Sequence, residues 1–285
     1  MSTQRFFDVH THTQFAAFAK DQDAVIQRAL DAGVWMINVG TQKDTSAKAV
    51  ETAQKYPEGV YATVGLHPIH TEKSYHDPQE LGVSDKQQET SDKRFISRGE
   101  EFDYEYYKKL AKDSKVVAIG ECGLDYYRLG EDTKEKQQQA FITQIEFAVE
   151  IKKPLMIHCR NAFGDLIDIL VSSFKFQVSG NPGVVHFFTG TAEDAKKLLD
   201  MGFSFSFGGV ITFARDYDEV IRYIPIEHIL LETDAPYVTS MPYRGKRNEP
   251  LYVIEVARTL AGLKNLSLEE ITERTTVNAF RLFDI

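Results

Sequence analysis

Eight short apolar runs, each followed by a stretch with apolar residues at helical spacing, constrain this chain more than any other feature. The strand-like runs cover 6–11, 35–40, 60–66, 116–121, 154–159, 183–188, 203–207 and 229–233. The helical stretches between and after them cover 24–32, 45–55, 104–112, 135–150, 163–173, 192–201, 217–223 and 251–263. Strands regularly separated by helices pair in parallel. Eight such units predict an α/β fold, a (β/α)8 TIM barrel, although alternation alone does not separate a closed barrel from an open doubly wound sheet. Helix punctuation agrees. Gly33 and Gly202 stand where helices stop, Thr191 stands where one starts, and Ser267 with Glu270 predicts a capping box for a C-terminal extra helix over 268–283, packed outside the barrel.

One stretch breaks the rhythm. Residues 71–101 are polar, charged and aperiodic, and read as a long loop, a lid or an insertion after strand 3 of what is otherwise a single barrel over 1–285. Composition narrows the classes further. Two cysteines exclude a disulfide scaffold and suit a reducing compartment. No apolar run approaches the roughly 18 residues of a membrane span, and Met1-Ser2-Thr3-Gln4-Arg5 leads into a strand rather than a signal sequence, so the chain reads as soluble and cytoplasmic, with no membrane partner. With 33 Lys plus Arg against 42 Asp plus Glu, the formal charge of −9 argues against a polyanion-coating protein but leaves room for a local anion site.

The chemistry-bearing residues gather where strands end. A period-two count puts Asp8, His10 and His12 on one face of the first strand. Alone, this His-x-His reads either as a metal pair or as one solvated and one core histidine. Glu121, His158, His186 and Asp234 then close strands 4, 5, 6 and 8, on the rim where parallel barrels build active sites. Four histidines and two carboxylates supply donors for two divalent cations, one carboxylate bridging. Two-metal chemistry means hydrolysis, with Asp234 as a ligand that also takes a proton from the attacking water. Arg160 and Glu232 share the inward face by the same count and are expected to pair. Cys122 and Cys159, each one residue past a ligand, should face the helix layer as buried thiols.

These residues, together with Gly65-Leu66-His67-Pro68, Gly120-Glu121-Cys122-Gly123-Leu124-Asp125, His158-Cys159-Arg160, Glu232-Thr233-Asp234-Ala235-Pro236 and Arg244-Gly245-Lys246-Arg247-Asn248, give a chain that resembles the TatD family of metal-dependent deoxyribonucleases nearly end to end. The resemblance implies an amidohydrolase-type barrel with His10, His12 and Asp234 on one metal, His158 and His186 on the other, and Glu121 bridging. It implies 3′-to-5′ exonuclease action on single-stranded or frayed DNA, with His67, Arg244 and Arg247 near the substrate phosphate. The metals would be Mg2+, Mn2+ or Zn2+. The chain reads as a monomer.

Two other readings stand beside this one. The same water chemistry would serve an amidohydrolase of a small-molecule amide, lactone or phosphoester, and the basic loop 244–247 with the rings of Tyr126, Tyr127 and Tyr237 discriminates against it. A non-catalytic scaffold would be free to lose ligands, and the full set is present.

Overall fold

The computed structural model describes residues 5–73, 99–173 and 181–285. Most of the expected 71–101 loop lies outside the described residues. Its two ends meet, with Glu100 N–H donating to His70 O at 2.7 Å.

Eight parallel strands close into one barrel in sequence order: β1 Phe6–Thr11, β2 Val34–Val39, β3 Val60–Val64, β4 Val116–Asp125, β5 Leu155–Arg160, β6 Gly183–Val185, β7 Ser204–Phe207 and β8 Ile229–Leu231. Around them run α1 Gln22–Asp31, α2 Lys43–Gln54, α3 Tyr104–Leu110, α4 Lys134–Ile151, α5 Phe163–Ser172, α6 Ala192–Asp200, α7 Asp218–Tyr223 and α8 Val253–Lys264, followed by the terminal α9 Leu268–Phe283. The closed ring decides between the two topologies that alternation left open. The predicted caps form: Gly33 and Gly202 take positive φ after α1 and α6, and both Thr191 and Ser267 complete capping boxes.

Two apolar layers hold the barrel. The larger lies between strands and helices and contains Phe6, Val34, Met36, Phe205 and Leu231 as well as Cys122 and Cys159, both buried and free as expected. The smaller joins Phe7 and Val9 of β1 to Val117 of β4, Met156 of β5 and Leu230 of β8. Strands on opposite sides of a ring meet only through its interior, so this cluster fills the barrel. Ala279, Leu282 and Phe283 belong to it. The terminal helix, expected to pack outside, therefore closes the mouth at the strands' N-terminal ends, where Phe7 meets Trp35, Tyr61 and Phe280 ring to ring. That floor leaves the opposite rim to carry the site.

Candidate metal centre

β1 reaches the centre through an irregularity. Phe7 and Val9 point into the barrel, so a plain period-two count would keep Asp8 and His10 off its interior. The β1–β2 register shifts between Asp8 and Thr11, and past this point His10 and His12 turn toward the cavity. Asp8 stays behind. Its carboxylate accepts from Thr233 N–H at 2.9 Å, Thr233 Oγ1 at 2.6 Å and His10 N–H at 3.2 Å, tying β1 to the turn after β8. Burial pushes its carboxyl well above the ordinary range against these three bonds. The sequence reading grouped Asp8 with the two histidines; it joins the strands instead.

Glu121 sits in the middle of the cluster. Its carboxylate oxygens lie 2.9 Å from His186 Nε2, 3.0 Å from His158 Nδ1, 3.2 Å from His67 Nε2, 3.5 Å from His10 Nε2 and 3.9 Å from His12 Nε2. Five of the chain's eight histidines thus surround one buried carboxylate. Asp234 faces it across the cavity, 3.4 Å from His12 Nε2 and 3.8 Å from His10 Nε2. β6 and β8 are only three residues long, so His186 and Asp234 stand just beyond them. Asp234 takes a left-handed φ of 54°, held by its N–H to His10 O at 2.8 Å and by Tyr237 N–H to its own carbonyl at 2.8 Å. A non-glycine residue held there by surrounding structure is a common feature of functional sites.

The imidazoles are oriented by their far sides. His12 Nδ1 lies 2.8 Å from Val39 O, and since a carbonyl only accepts, Nδ1 carries the proton and Nε2 turns a lone pair to the cavity. That lone pair meets His10 Nε2 at 3.1 Å, while among the described residues His10 Nδ1 has no hydrogen-bond partner. His158 directs Nε2 to Asp125 at 3.0 Å and Nδ1 to the centre, and His186 turns Nδ1 toward Glu232, 3.7 Å away. Imidazoles braced by carboxylates and carbonyls, with their remaining nitrogens convergent, form the donor arrangement of a divalent cation site. The donor atoms of His10, His12 and Asp234 all lie within 4.8 Å of one another, as do those of His67, Glu121 and His158 and those of His10, His186 and Glu232.

The charges are strongly coupled. Burial alone would raise the Glu121 carboxyl, but His67, His186 and His10 outweigh it and hold the group well below the usual carboxylate range. Burial likewise opposes protonation of His12, His158 and His186, yet the carboxylates beside them overcome it and raise all three. His10 and His67 move down, chiefly through burial.

Asp125 was missed as a site residue because strand 4 was expected to end at Glu121. It runs on to Asp125, and continuing the period-two count would have found the second carboxylate. Gly123 stands between the two and pairs with His158 on β5. A Cβ at Gly123, whose φ is +133°, would lie 2.0 Å from His158 O, so only glycine lets β5 approach closely enough for His158 to reach both acids. Asp125 is held below the ordinary carboxylate range: burial opposes this, and the hydrogen bond from His158 outweighs it.

The basic residues fall differently from expectation. A cavity of about 490 Å³ opens over the centre, walled in part by His12, His67, Glu121, His158, His186 and Asp234, and its cationic side chains are Arg128 and Arg160. Arg247 is instead paired with Asp21 at 2.7 and 2.9 Å and with Glu249 at 3.3 Å, and Arg244 lies over Phe213 with one N–H on Thr239 O. Asn248 is buried and holds the turn after β8 through Thr233 O and Tyr237 O. The expected Arg160–Glu232 pair does not form. Arg160 lies 3.7 Å over the ring of Tyr127, and Glu232 accepts from Ser206 Oγ at 2.5 Å, because Arg160 leaves the end of β5 toward the rim whereas Glu232 stays within the barrel wall.

Comparison with known proteins agrees with this geometry. Residues 7–284 match the family described as TatD related DNase. The uncharacterized metal-dependent hydrolase YabD of Bacillus subtilis is 38% identical over 282 residues, covering 98% of this chain and 99% of that protein. The 3′-5′ ssDNA/RNA exonuclease TatD of Erwinia billingiae is 33% identical over 97% of this chain and 98% of its own length. Among solved structures, the TatD homologue YjjV of Escherichia coli superposes with a TM-score of 0.80 at 29% identity, covering 99% of each chain. A closed barrel, a histidine-ringed carboxylate and end-to-end similarity together establish the chain as a metal-dependent hydrolase of the TatD family.

Proposed function

We propose that this hydrolase removes nucleotides from the 3′ ends of single-stranded or frayed DNA with two divalent cations. His10, His12 and Asp234 would hold one, His158 and His186 the other, and Glu121 would lie between them. The observation that carries this reading is Glu121, one carboxylate within 3.9 Å of five imidazole nitrogens with Asp234 opposite. Divalent cations held there would supply an activated water and offset charge on the attacking and leaving oxygens of a displacement at phosphorus.

The chain's own residues prepare for that chemistry. Val39 O and Asp125 fix which nitrogen of His12 and His158 faces the centre, and Glu232 stands 3.7 Å behind His186 Nδ1. Asp234, with its side chain 17% exposed, is the carboxylate open to the cavity and accepts the proton of an attacking water. His67 Nδ1 accepts from Ile69 N–H at 3.1 Å, so in the neutral ring Nε2 carries the proton; it faces Glu121 at 3.2 Å, and once cations engage that carboxylate the N–H would be released to a substrate phosphate oxygen. A cavity of about 490 Å³ is the size of a small-ligand site and suits one strand end rather than a duplex. The relative from Erwinia, named as a 3′-5′ exonuclease, points the same way.

The test is incubation of the metal-loaded protein with a single-stranded oligonucleotide labelled at its 5′ end. A ladder shortening from the 3′ end and abolished by chelation is expected. Metal bound without any release of nucleotide would refute the reading. Glu121→Ala is expected to lower occupancy of both metals by elemental analysis, whereas one full site beside an empty one would contradict a bridging position.

A further inference from the structure

Arg160 differs from the other arginines near the rim in what its donors do. Arg160 borders the cavity, and its guanidinium carbon lies 3.7 Å from the centre of the Tyr127 ring. Among the described residues no carboxylate or carbonyl accepts from its side chain, whereas Arg247 spends its donors on Asp21, Glu249 and Ala17 O. A guanidinium stacked on a ring keeps its N–H edge free for a planar or tetrahedral anion. Tyr127 is 63% exposed even with Arg160 over it, which leaves ring surface open to solvent.

The position of this pair is set by the metal centre itself. Asp125 takes His158 Nε2–H on one oxygen at 3.0 Å and the backbone N–H groups of Tyr127 and Arg128 on the other, at 2.9 and 3.0 Å. One buried carboxylate therefore orients both a candidate metal ligand and the loop that carries the ring.

We propose that Tyr127 and Arg160 form a preassembled platform for the nucleotide next to the cleaved bond, the exposed part of Tyr127 stacking on its base and the Arg160 edge binding its phosphate. This rests on the nuclease reading and adds to it the surface that recognises a strand. Asp125 acts as a positioning residue that keeps the platform in register with the centre. Base stacking tolerates any base, so the platform selects for an unpaired strand rather than a sequence.

Binding and cleavage are measured separately to test it. Affinity of the metal-loaded protein for a fluorescent single-stranded oligonucleotide is read by anisotropy with Asp234→Asn in the background to prevent turnover. Tyr127→Ala is expected to weaken binding about 5- to 150-fold, the range of one base stacked on an aromatic ring. On a strand with an abasic residue next to the terminal nucleotide, Tyr127→Ala and its parent should bind alike, a distinction that a merely structural role for the ring would not make. Arg160→Gln should lower the slope of log affinity against log salt by about 0.7, the share of one phosphate contact on a single strand. In the active enzyme, Tyr127→Ala should act on KM rather than kcat. Equal affinity of Tyr127→Ala and parent on the ordinary strand, or an equal loss on the abasic one, overturns the platform even where the enzyme cleaves DNA. Strand binding through Tyr127 without cleavage keeps the platform and overturns the nuclease reading.

Discussion

Asp234 and Glu121 occupy opposite walls of one cavity under different constraints. Asp234 is held by its backbone, through His10 O and Tyr237 N–H, so its side chain can change without undoing the turn. Asparagine tolerates the left-handed φ that Asp234 adopts. Asp234→Asn is therefore expected to lower turnover by about 100-fold or more, the share of a proton acceptor, while the melting temperature stays close to that of the parent; differential scanning calorimetry beside the cleavage assay checks both. Glu121 is different, since every imidazole around it depends on its charge. In the metal-free protein the carboxylates hold His12, His158 and His186 above the ordinary histidine value, chiefly against burial. A raised value means that these rings still hold their protons as pH rises toward neutrality, and those protons must leave before the nitrogens can bind a cation. Metal affinity should accordingly fall with falling pH, and binding near neutral pH should release protons, measurable by titration calorimetry in buffers of different ionisation enthalpy. No proton release would contradict the charge coupling.

At the scale of elements, the paired ends of β4 and β5 do most to arrange the centre. β4 delivers Glu121 and Asp125 two pleats apart, β5 delivers His158 between them, and Gly123 permits the close approach. Asp125→Ala would leave His158 Nε2 and two loop amides without their acceptor. We expect a stability loss of about 1–3 kcal/mol in urea denaturation, as for removal of a buried hydrogen-bonding partner. Metal affinity should fall by about 10- to 100-fold, the usual effect of losing the group that orients a ligating histidine. Unchanged metal affinity would show that His158 is oriented without Asp125. The β1–β2 shift is the other decisive element. It turns His10 and His12 to the interior and leaves Asp8 to join β1 to the turn after β8.

The whole molecule separates support from chemistry along the barrel axis. At one end α9 inserts Leu282 and Phe283 beneath Phe7, and at the other the strand ends open to the cavity. Phe283→Ala should cost about 3–5 kcal/mol by loss of a buried aromatic ring. It should leave kcat unchanged below the melting transition, because no residue of α9 borders the cavity. Equilibrium denaturation followed by assay at low temperature distinguishes the two effects, and a parallel fall in kcat would mean that the two ends of the barrel are coupled. Among the described residues no helix is long and apolar enough to cross a membrane.

How much of this was legible in the sequence depends on how locally each feature is encoded. Strand and helix alternation, the caps at Thr191 and Ser267 and the gathering of His10, His12, Glu121, His158, His186 and Asp234 on one rim were readable, because hydrophobic period and cap chemistry are properties of neighbouring residues and a parallel barrel presents its strand ends together. Closure of the ring, the turn of His10 and His12 past an irregular β1, and the extension of β4 to Asp125 were not, because each depends on register between strands far apart in the chain. The arginines show the same division. The family resemblance implied that the basic loop at 244–247 lies near the substrate phosphate, but a guanidinium binds the nearest anion it can reach. Only the tertiary structure brings Asp21 to Arg247, turns Arg160 onto Tyr127, and so decides which cations are spent on the fold and which remain at the cavity.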